Sequence, residues 1–591
     1  MQSKMPSVLV AVVLASSLAV SARTLYVAPG GTNDAAHYYP DWAGAASTIQ
    51  AAINLSADYD TVLVTNATYT VASPVNIANR ITVRSWNNGN LDPTNTVING
   101  NGATTSLVLN RSYGMYYSGA FGVVAGFKLT GGNGTGGPAG AGYGGGGTVG
   151  WDVYYGGVIS NCIVEGNTAD LGGGGLYVAG VYAQVVDCRI LNNAVTNATS
   201  TSARGGGIYI VYGGASNCLI AGNAMRSSGG EGGGVAVNLG CVLGNCVITN
   251  NVATNGTGNG GGLSLRSISG SYNAFVDHCD VIGNAAGQYG GGIYLYFCNS
   301  NTVVTNCTIS GNTGGGGGGI CYYAGSATHY GRIVNCKVRD NMGNEGGGID
   351  LFDNGNATLH DIQVIDCEIS GNRPTVVGGN SYGGGIRMNG AGFARNCLIS
   401  NNVAKWGGGA QMASLSSGVI PELRNCLLAG NTATDQGGGV RMAGKATLVN
   451  CTLAANVATN GGGGVYNTGA LAALAATNTI CYSNTAPSGA NWFIYSGDGG
   501  GTIQMAYGCT TPTNGTGFTA VNGTAQDPRF QNAAAGDYRL ALGSPCINAG
   551  TTLVWMATAT DLAGRKRVEN GVVDIGAYET RVPAGTAVLL R

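Results

Sequence analysis

Charge is what this sequence has least of. Lys and Arg number 27 and Asp and Glu 28, so 9% of the 591 residues are charged and the formal net charge is −1. Ordinary soluble domains carry roughly 25% charged residues. Nucleic-acid binding calls for a basic stripe, and none is present, so no nucleic-acid partner is expected. Histidine occurs four times and no Cys-x-x-Cys pair occurs, which leaves no metal-ligand cluster; neither a metal nor another cofactor is expected. The calcium-roll nonapeptide G-G-x-G-x-D is also missing, so obligatory calcium is not implied. Helical periodicity is almost absent. Long apolar runs are confined to the start of the chain, where Lys4, the stretch Val8 to Val20 and Val20-Ser21-Ala22 read as a secretory signal. The run is too short to span a bilayer, so the mature chain, starting near Arg23, is expected to be exported and to have no transmembrane segment.

What the chain does have is glycine, 106 residues, without the strict triplet of collagen, and a repeat. A polar residue, Cys, any residue and then Ile, Leu or Val recur eleven times. An Asn, a glycine run and a short apolar strand follow each time. Asn306-Cys307-Thr308-Ile309 leads to Asn312 and Gly317-Gly318-Gly319-Ile320. The repeat cysteines (162, 188, 218, 246, 279, 307, 336, 367, 397, 426, 451) lie 25 to 33 residues apart, a period that means a stacked solenoid.

Side chains alternate along a strand. Leu176, Ile208, Val235, Leu263, Ile293, Ile320, Ile349, Ile386, Val440 and Val465 therefore make one apolar column facing inward. The residues after them, Tyr177, Tyr209, Tyr294, Asp350, Arg387 and Arg441 among them, should face outward. Asn suits the corners because it tolerates left-handed backbone angles. The fold class is all-β: a parallel β-helix, one coil per repeat, with right-handed crossovers as the default. At about 4.8 Å per coil a dozen coils make a rod of roughly 60 Å. Eleven of the seventeen cysteines share one repeat position and predict an inward column of stacked thiols. Vertical neighbours are close enough for some bridges, but side chains pointing the same way into a packed core favour free Cys acting as small hydrophobes.

The two ends depart from the repeat. Ser47-Thr48-Ile49-Gln50-Ala51-Ala52-Ile53 reads as a capped amphipathic helix, and Asp60-Thr61-Val62-Leu63-Val64 as a strand. This arrangement resembles the N-terminal cap of secreted pectate-lyase-like right-handed β-helix proteins. The repeats resemble those of the polymorphic outer membrane proteins, with G-G-G-I in place of G-G-A-I and I-x-x-N in place of F-x-x-N. Asp527-Pro528-Arg529-Phe530, Gly536-Asp537-Tyr538-Arg539-Leu540, Gly543-Ser544-Pro545-Cys546-Ile547-Asn548-Ala549-Gly550, Asp561-Leu562-Ala563-Gly564-Arg565 and Val573-Asp574-Ile575-Gly576-Ala577-Tyr578-Glu579 resemble the choice-of-anchor Q domain of bacterial surface proteins. The expected organisation is a signal peptide over 1–22, a cap and first coils over 23–109, and repeats over 110–508. A C-terminal domain over 509–580, closing the rod's second end, and a short tail over 581–591 complete it.

Charge is concentrated in residues 331–395, where 13 of 65 positions are charged. Asp350 and Arg387 occupy one repeat position, so adjacent coils would bring them to about 5 Å, with Asp353 just beyond the strand. These three are the candidate catalytic residues, since a glycoside hydrolase needs two carboxylates in reach of one bond and a lyase needs a base with cations near the developing enolate. The plainer reading is an ion pair between coils. The paired-Asp and Gly-His-Gly signatures of the polygalacturonase-like hydrolases are missing, as are the clustered aspartates of the pectate lyases. Tyr177, Tyr209, Tyr294 and Arg441 are the candidate glycan contacts, because outward tyrosines can stack on sugar rings.

Three functions are compatible with these residues. The favoured one is an exported surface or secreted rod, non-enzymatic, that contacts polysaccharide or cell-surface glycan. A polysaccharide lyase or glycoside hydrolase with its site on coils 331–395 is the rival. Self-association of rods into a surface layer is the third.

Overall fold

The computed structural model describes residues 21–581, apart from 87–91, 110, 113–120, 138–139, 141, 267–272, 299–300, 325–328, 354–359, 377, 391, 415–419, 470–471, 498–499 and 569–570. Residues 1–20 of the expected signal peptide lie outside the described residues. The chain winds through three parallel sheets in turn, and each coil adds one strand to each. In one coil these strands are Tyr155–Ser160, Ile163–Glu165 and Leu176–Val178. Among the described residues the sheets hold 19, 16 and 15 strands. The result is a parallel β-helix, as the repeat period implies.

The predicted columns form the shaft. Leu176, Ile208, Val235, Leu263, Ile293 and Ile320 are fully buried, as are Val164, Ile190, Ile220, Ile248 and Val281 on the second sheet. All eleven repeat cysteines are buried and free. Each thiol can satisfy itself locally: Cys307 Sγ donates to the Thr305 carbonyl two residues back at 3.0 Å.

The asparagines divide into two sets. Those before the cysteines, such as Asn161, Asn306 and Asn396, have φ of 45°, 54° and 55° and turn the corner as expected. Those that follow the second-sheet strand turn inward instead. Asn167, Asn193, Asn223, Asn251, Asn284, Asn312, Asn341, Asn372, Asn402, Asn431 and Asn456 are 0–1% exposed and stack as a ladder. Asn312 shows the pattern. Its Nδ2 donates to Asn341 Oδ1 at 3.0 Å and to the Val281 carbonyl at 2.9 Å, and its Oδ1 accepts from the Asn284 backbone N–H and Nδ2. Every polar atom of the side chain has a partner, so burying it is not penalised.

Glycine is needed beside this ladder. A Cβ on Gly319 would lie 2.6 Å from the Gly348 carbonyl oxygen and 2.9 Å from Asn341 Nδ2, and Gly317 has φ of +59°. The glycine run is thus a close approach of coil on coil, followed by the third-sheet strand.

At the start of the rod, Thr48 caps helix Ile49–Leu55 by accepting from the Ala51 N–H. Ile49, Ala52 and Ile53 are buried in the main core.

The tail departs from expectation. Residues 509–521 still add the last strands of the rod, with Phe518 in its core, but from Phe530 on the contacts run along the flank rather than across the second end. The outward column of the second sheet explains why. On earlier coils it mixes charged Arg189, Asp280, Lys337 and Glu368 with Ile163, Leu219, Val247 and Thr308; after Glu368 it carries no charge and reads Leu398, Leu427, Thr452, Ile480 and Cys509. Tyr538 packs on Leu427, and Leu540, Cys546 and Ile575 pack with Ile480 and Cys509. Asn478 holds the Thr551 backbone through two hydrogen bonds of 2.8 Å, and Thr452 Oγ1 accepts from the Ala577 N–H at 3.0 Å. Arg567 is buried beneath, paired to Glu579 at 2.9 Å and bonded to the Gly576 carbonyl.

Replacing Asn312 by Ala strands the donors of Asn284 and the carbonyl of Val281. It is expected to cost about 3 kcal/mol, read as a lowered urea midpoint, with amide exchange at Asn284 and Asn341 accelerating first.

Candidate functional site

The outward column of the third sheet carries the candidate residues, and it points away from the shaft as alternation requires. It is nevertheless covered. Tyr209, Tyr294, Asp350 and Arg387 are buried, and only Tyr177 and Arg441 are half-buried. The cover comes from the residue four positions before each strand. These residues form their own chain of parallel bridges, Tyr143, Gly172, Arg204, Glu231 and Asn259 in one run and Tyr289, Gly316, Glu345, Tyr382 and Trp406 in another. The expectation that the tyrosines are free for stacking on sugars is corrected for Tyr209 and Tyr294. Both already stack on protein.

Along the face the side chains group into stations. Tyr177 lies 5.3 Å from Tyr143 and 5.5 Å from Tyr209, ring centre to ring centre. Glu231 comes next, paired with Arg204 at 2.5 Å and Arg266 at 3.6 Å. Tyr289 and Tyr294 stack at 6.1 Å, with rings only 12° apart.

The charged station follows. Asp350 on strand Ile349–Asp353 and Arg387 on strand Ile386–Asn389 are register partners. Arg387 Nε donates to Asp350 Oδ1 at 2.8 Å, and a second guanidinium nitrogen reaches Glu345 at 2.9 Å. The guanidinium also lies over the Phe352 ring at 5.2 Å. Gly316 in the covering ladder makes room here, since a Cβ on it would sit 3.1 Å from Asp350 Oδ2. Burial holds the Asp350 carboxyl up at about 6, against the opposing pull of Arg387.

Asp353 does not join this group. It is fully buried and ends the same strand three residues on, so alternation sets it on the side of Ile349 and Leu351, opposite Asp350. The structure therefore brings Asp350 and Arg387 together and separates Asp353 from them. Two carboxylates flanking one bond are not assembled from these residues. Glu345 is the partner that sequence reasoning missed as a site residue. Its signal was its place before a glycine run, equivalent to Glu231.

Beyond Trp406 the face opens. Arg441 donates to Gln411 Oε1 at 3.2 Å and to Gln436 Oε1 at 3.4 Å, and lies over the Trp406 ring at 5.5 Å. Asp435 is close enough to be felt electrostatically, but its carboxylate is engaged by Trp406 Nε1 and Asn460 Nδ2. Arg441, Gln436, Tyr466, Thr468, Gly469 and Tyr495 line a cleft of about 400 Å³. Tyr495 is 43% exposed. Among the described residues, no group of three or more His, Cys, Asp and Glu side chains is placed to hold a metal ion. No described helix is long and apolar enough to cross a membrane.

Residues 56–361 match the family model of the right-handed β-helix region, which covers just over half of the chain; the chain belongs to that family, and its coils are right-handed. No curated protein matches the sequence. Among solved structures the chain is similar to pectate lyase Pel9A, at 13% identity and a TM-score of 0.27, covering 95% of this chain and 96% of that one. It is also similar to a PL6 alginate lyase in complex with a trisaccharide, at 12% identity and a TM-score of 0.32, with 77% and 85% covered. A mutant of the PL6 family alginate lyase AlyGC shows 11% identity, a TM-score of 0.28 and 80% of both chains covered. Likeness at this level carries no argument about activity.

Asp350→Ala leaves the Arg387 guanidinium buried with Glu345 alone and is expected to cost about 3 kcal/mol, measured by chemical denaturation. The raised carboxyl also predicts a pH dependence. An acid that ionises at about 6 in the fold and about 4 when unfolded binds more protons folded, so stability falls as pH rises between those values. The fall in the parent relative to Asp350→Asn should be roughly 1–3 kcal/mol.

Proposed function

We propose that this chain is an exported rod, at the cell surface or secreted, that binds glycans without cutting them. The observation that carries the reading is the cleft around Arg441. It combines an exposed tyrosine ring, a second tyrosine, amide groups and a cation that no described carboxylate pairs with. Aromatic faces with a few directed polar groups are what a sugar-binding site requires. Tyr177, half-buried at the other end of the face, offers a second contact.

Two features favour binding over turnover. The acids described on this face that meet a cation on an adjacent coil are already paired: Glu231 with Arg204 and Arg266, and Asp350 and Glu345 with Arg387, Asp350 being fully buried. Asp353 faces the other way. The chain's near-neutral charge, −1 overall, favours contact through rings and hydrogen bonds over long-range steering.

The test uses immobilised acidic and neutral polysaccharides. Retention of the full chain is expected, with no new reducing ends and no unsaturated products. Arg441→Ala and Tyr495→Ala should each weaken retention by roughly tenfold, the value of one good polar or stacking contact, with unchanged thermal unfolding. Products that disappear in Asp350→Asn would replace this reading with a polysaccharide-cleaving enzyme. Absence of retention together with ordered multimers in solution would replace it with a self-assembling surface layer.

A further inference from the structure

The seventeen cysteines divide by the direction they face. Fourteen belong to the apolar shaft, and Cys321 sits on the outward column of the third sheet beside Asp350. Cys509 and Cys546 are the remaining two, and they share a small buried cluster outside the shaft with Ile480, Leu540 and Ile575.

Their placement differs from that of the repeat cysteines. Cys509 is in register with Ile480, one position after the cysteine column, and so points outward from the second sheet. Its equivalents on uncovered coils, Arg189 and Lys337, are exposed. Cys509 is fully buried only because the tail lies over it, and the tail residue that meets it is Cys546. The backbone of Cys546 is fixed from both sides. Its N–H donates to Ser544 Oγ at 3.2 Å, and its carbonyl accepts from the Ile575 N–H at 2.9 Å. Ser544 Oγ is in turn anchored on the Pro528 carbonyl. The Cys509 thiol donates to the Gln526 carbonyl at 3.3 Å and lies in the same small buried cluster as Cys546, near enough for the Cys546 thiol to raise its pKa. In the shaft, by contrast, an interior thiol has equivalent thiols above and below and no unique partner.

We propose that Cys509 and Cys546 are a cross-linking pair, whose disulfide staples the tail to the last coils of the rod. The two thiols give up two protons and two electrons. An oxidant of the disulfide class, an oxidised small-molecule thiol or a disulfide oxidoreductase, takes them and is reduced to two thiols, by exchange through a mixed disulfide. The bond closes a loop from residue 509 to residue 546 that otherwise holds to the rod through side-chain packing and hydrogen bonds alone. A cross-link over such a span restricts the unfolded tail and stabilises the docked one.

The test uses the full chain produced through an oxidising secretory compartment and purified without reductant. It is unfolded in guanidinium with an alkylating agent, digested and analysed by mass spectrometry. Fifteen of the seventeen cysteines (17 − 2 = 15) should be alkylated, and one linked peptide pair should contain Cys509 and Cys546. Reduction should lower the thermal midpoint of the parent by several degrees and leave that of Cys546→Ser unchanged. Seventeen alkylated thiols, linkage confined to the repeat cysteines, or equal midpoints for oxidised and reduced parent would each overturn the proposal.

Discussion

A single file of buried asparagine amides sets the spacing on which the rest of this rod depends. Each amide occupies a site with no water, where an unmet donor or acceptor costs about 1–3 kcal/mol, so each coil must deliver its Asn at the same height and angle as the next. Asn167 to Asn484 meet that condition rung after rung. The glycine runs follow from it. Where Gly319 passes Asn341, no side chain fits, so the chain crosses the ladder as bare backbone and regains side chains only at the third-sheet strand.

That crossing shapes the face on which function is sought. The residue just before each glycine run is free to vary, and its side chain folds over the outward column of the third sheet. Tyr, Glu and Trp in this place each find a counterpart on the strand: tyrosine on tyrosine, Glu231 on Ser264 and Arg266, Glu345 on Arg387, Trp406 on Arg441. A protein with so few charges spends several of them in these pairs. The cleft at Arg441 is where the pattern relaxes, because its neighbours Gln411 and Gln436 bring amides in place of a carboxylate.

Much of this was legible in the sequence. The cysteine period gave coil length, the alternation after the glycines gave the shaft, and the shared repeat position of Asp350 and Arg387 gave their contact. Other parts were hidden for physical reasons. Asparagine does two jobs in each coil, turning a corner at Asn306 and filling the ladder at Asn312, and residue type alone does not separate them. Tyr209 and Tyr294 follow the outward alternation, yet what buries them is a neighbour outside the strand whose identity changes from coil to coil. Asp353 looked like a companion of Asp350 because it is near in sequence; odd spacing on one strand sends it to the other face. The docking of the tail left a weaker trace: charge drops out of the outward column of the second sheet after Glu368, yet Ile163, Leu219 and Val247 already stand in that column on earlier coils.

The tail measures out a fixed length of rod. Asn425, Thr452 and Asn478 meet Thr560, Ala577 and Thr551 on three separate coils, so those coils cannot be added or removed without sliding the tail off its partners. Upstream, between Cys188 and Cys367, the described residues show no contact with the tail, and the columns of Cys, Asn and Ile repeat from coil to coil, with particular neighbours tied only by pairs such as Glu231 with Arg204 and Arg266. A change in the number of coils is therefore harder to absorb in the last coils, which the tail ties together, than upstream of them.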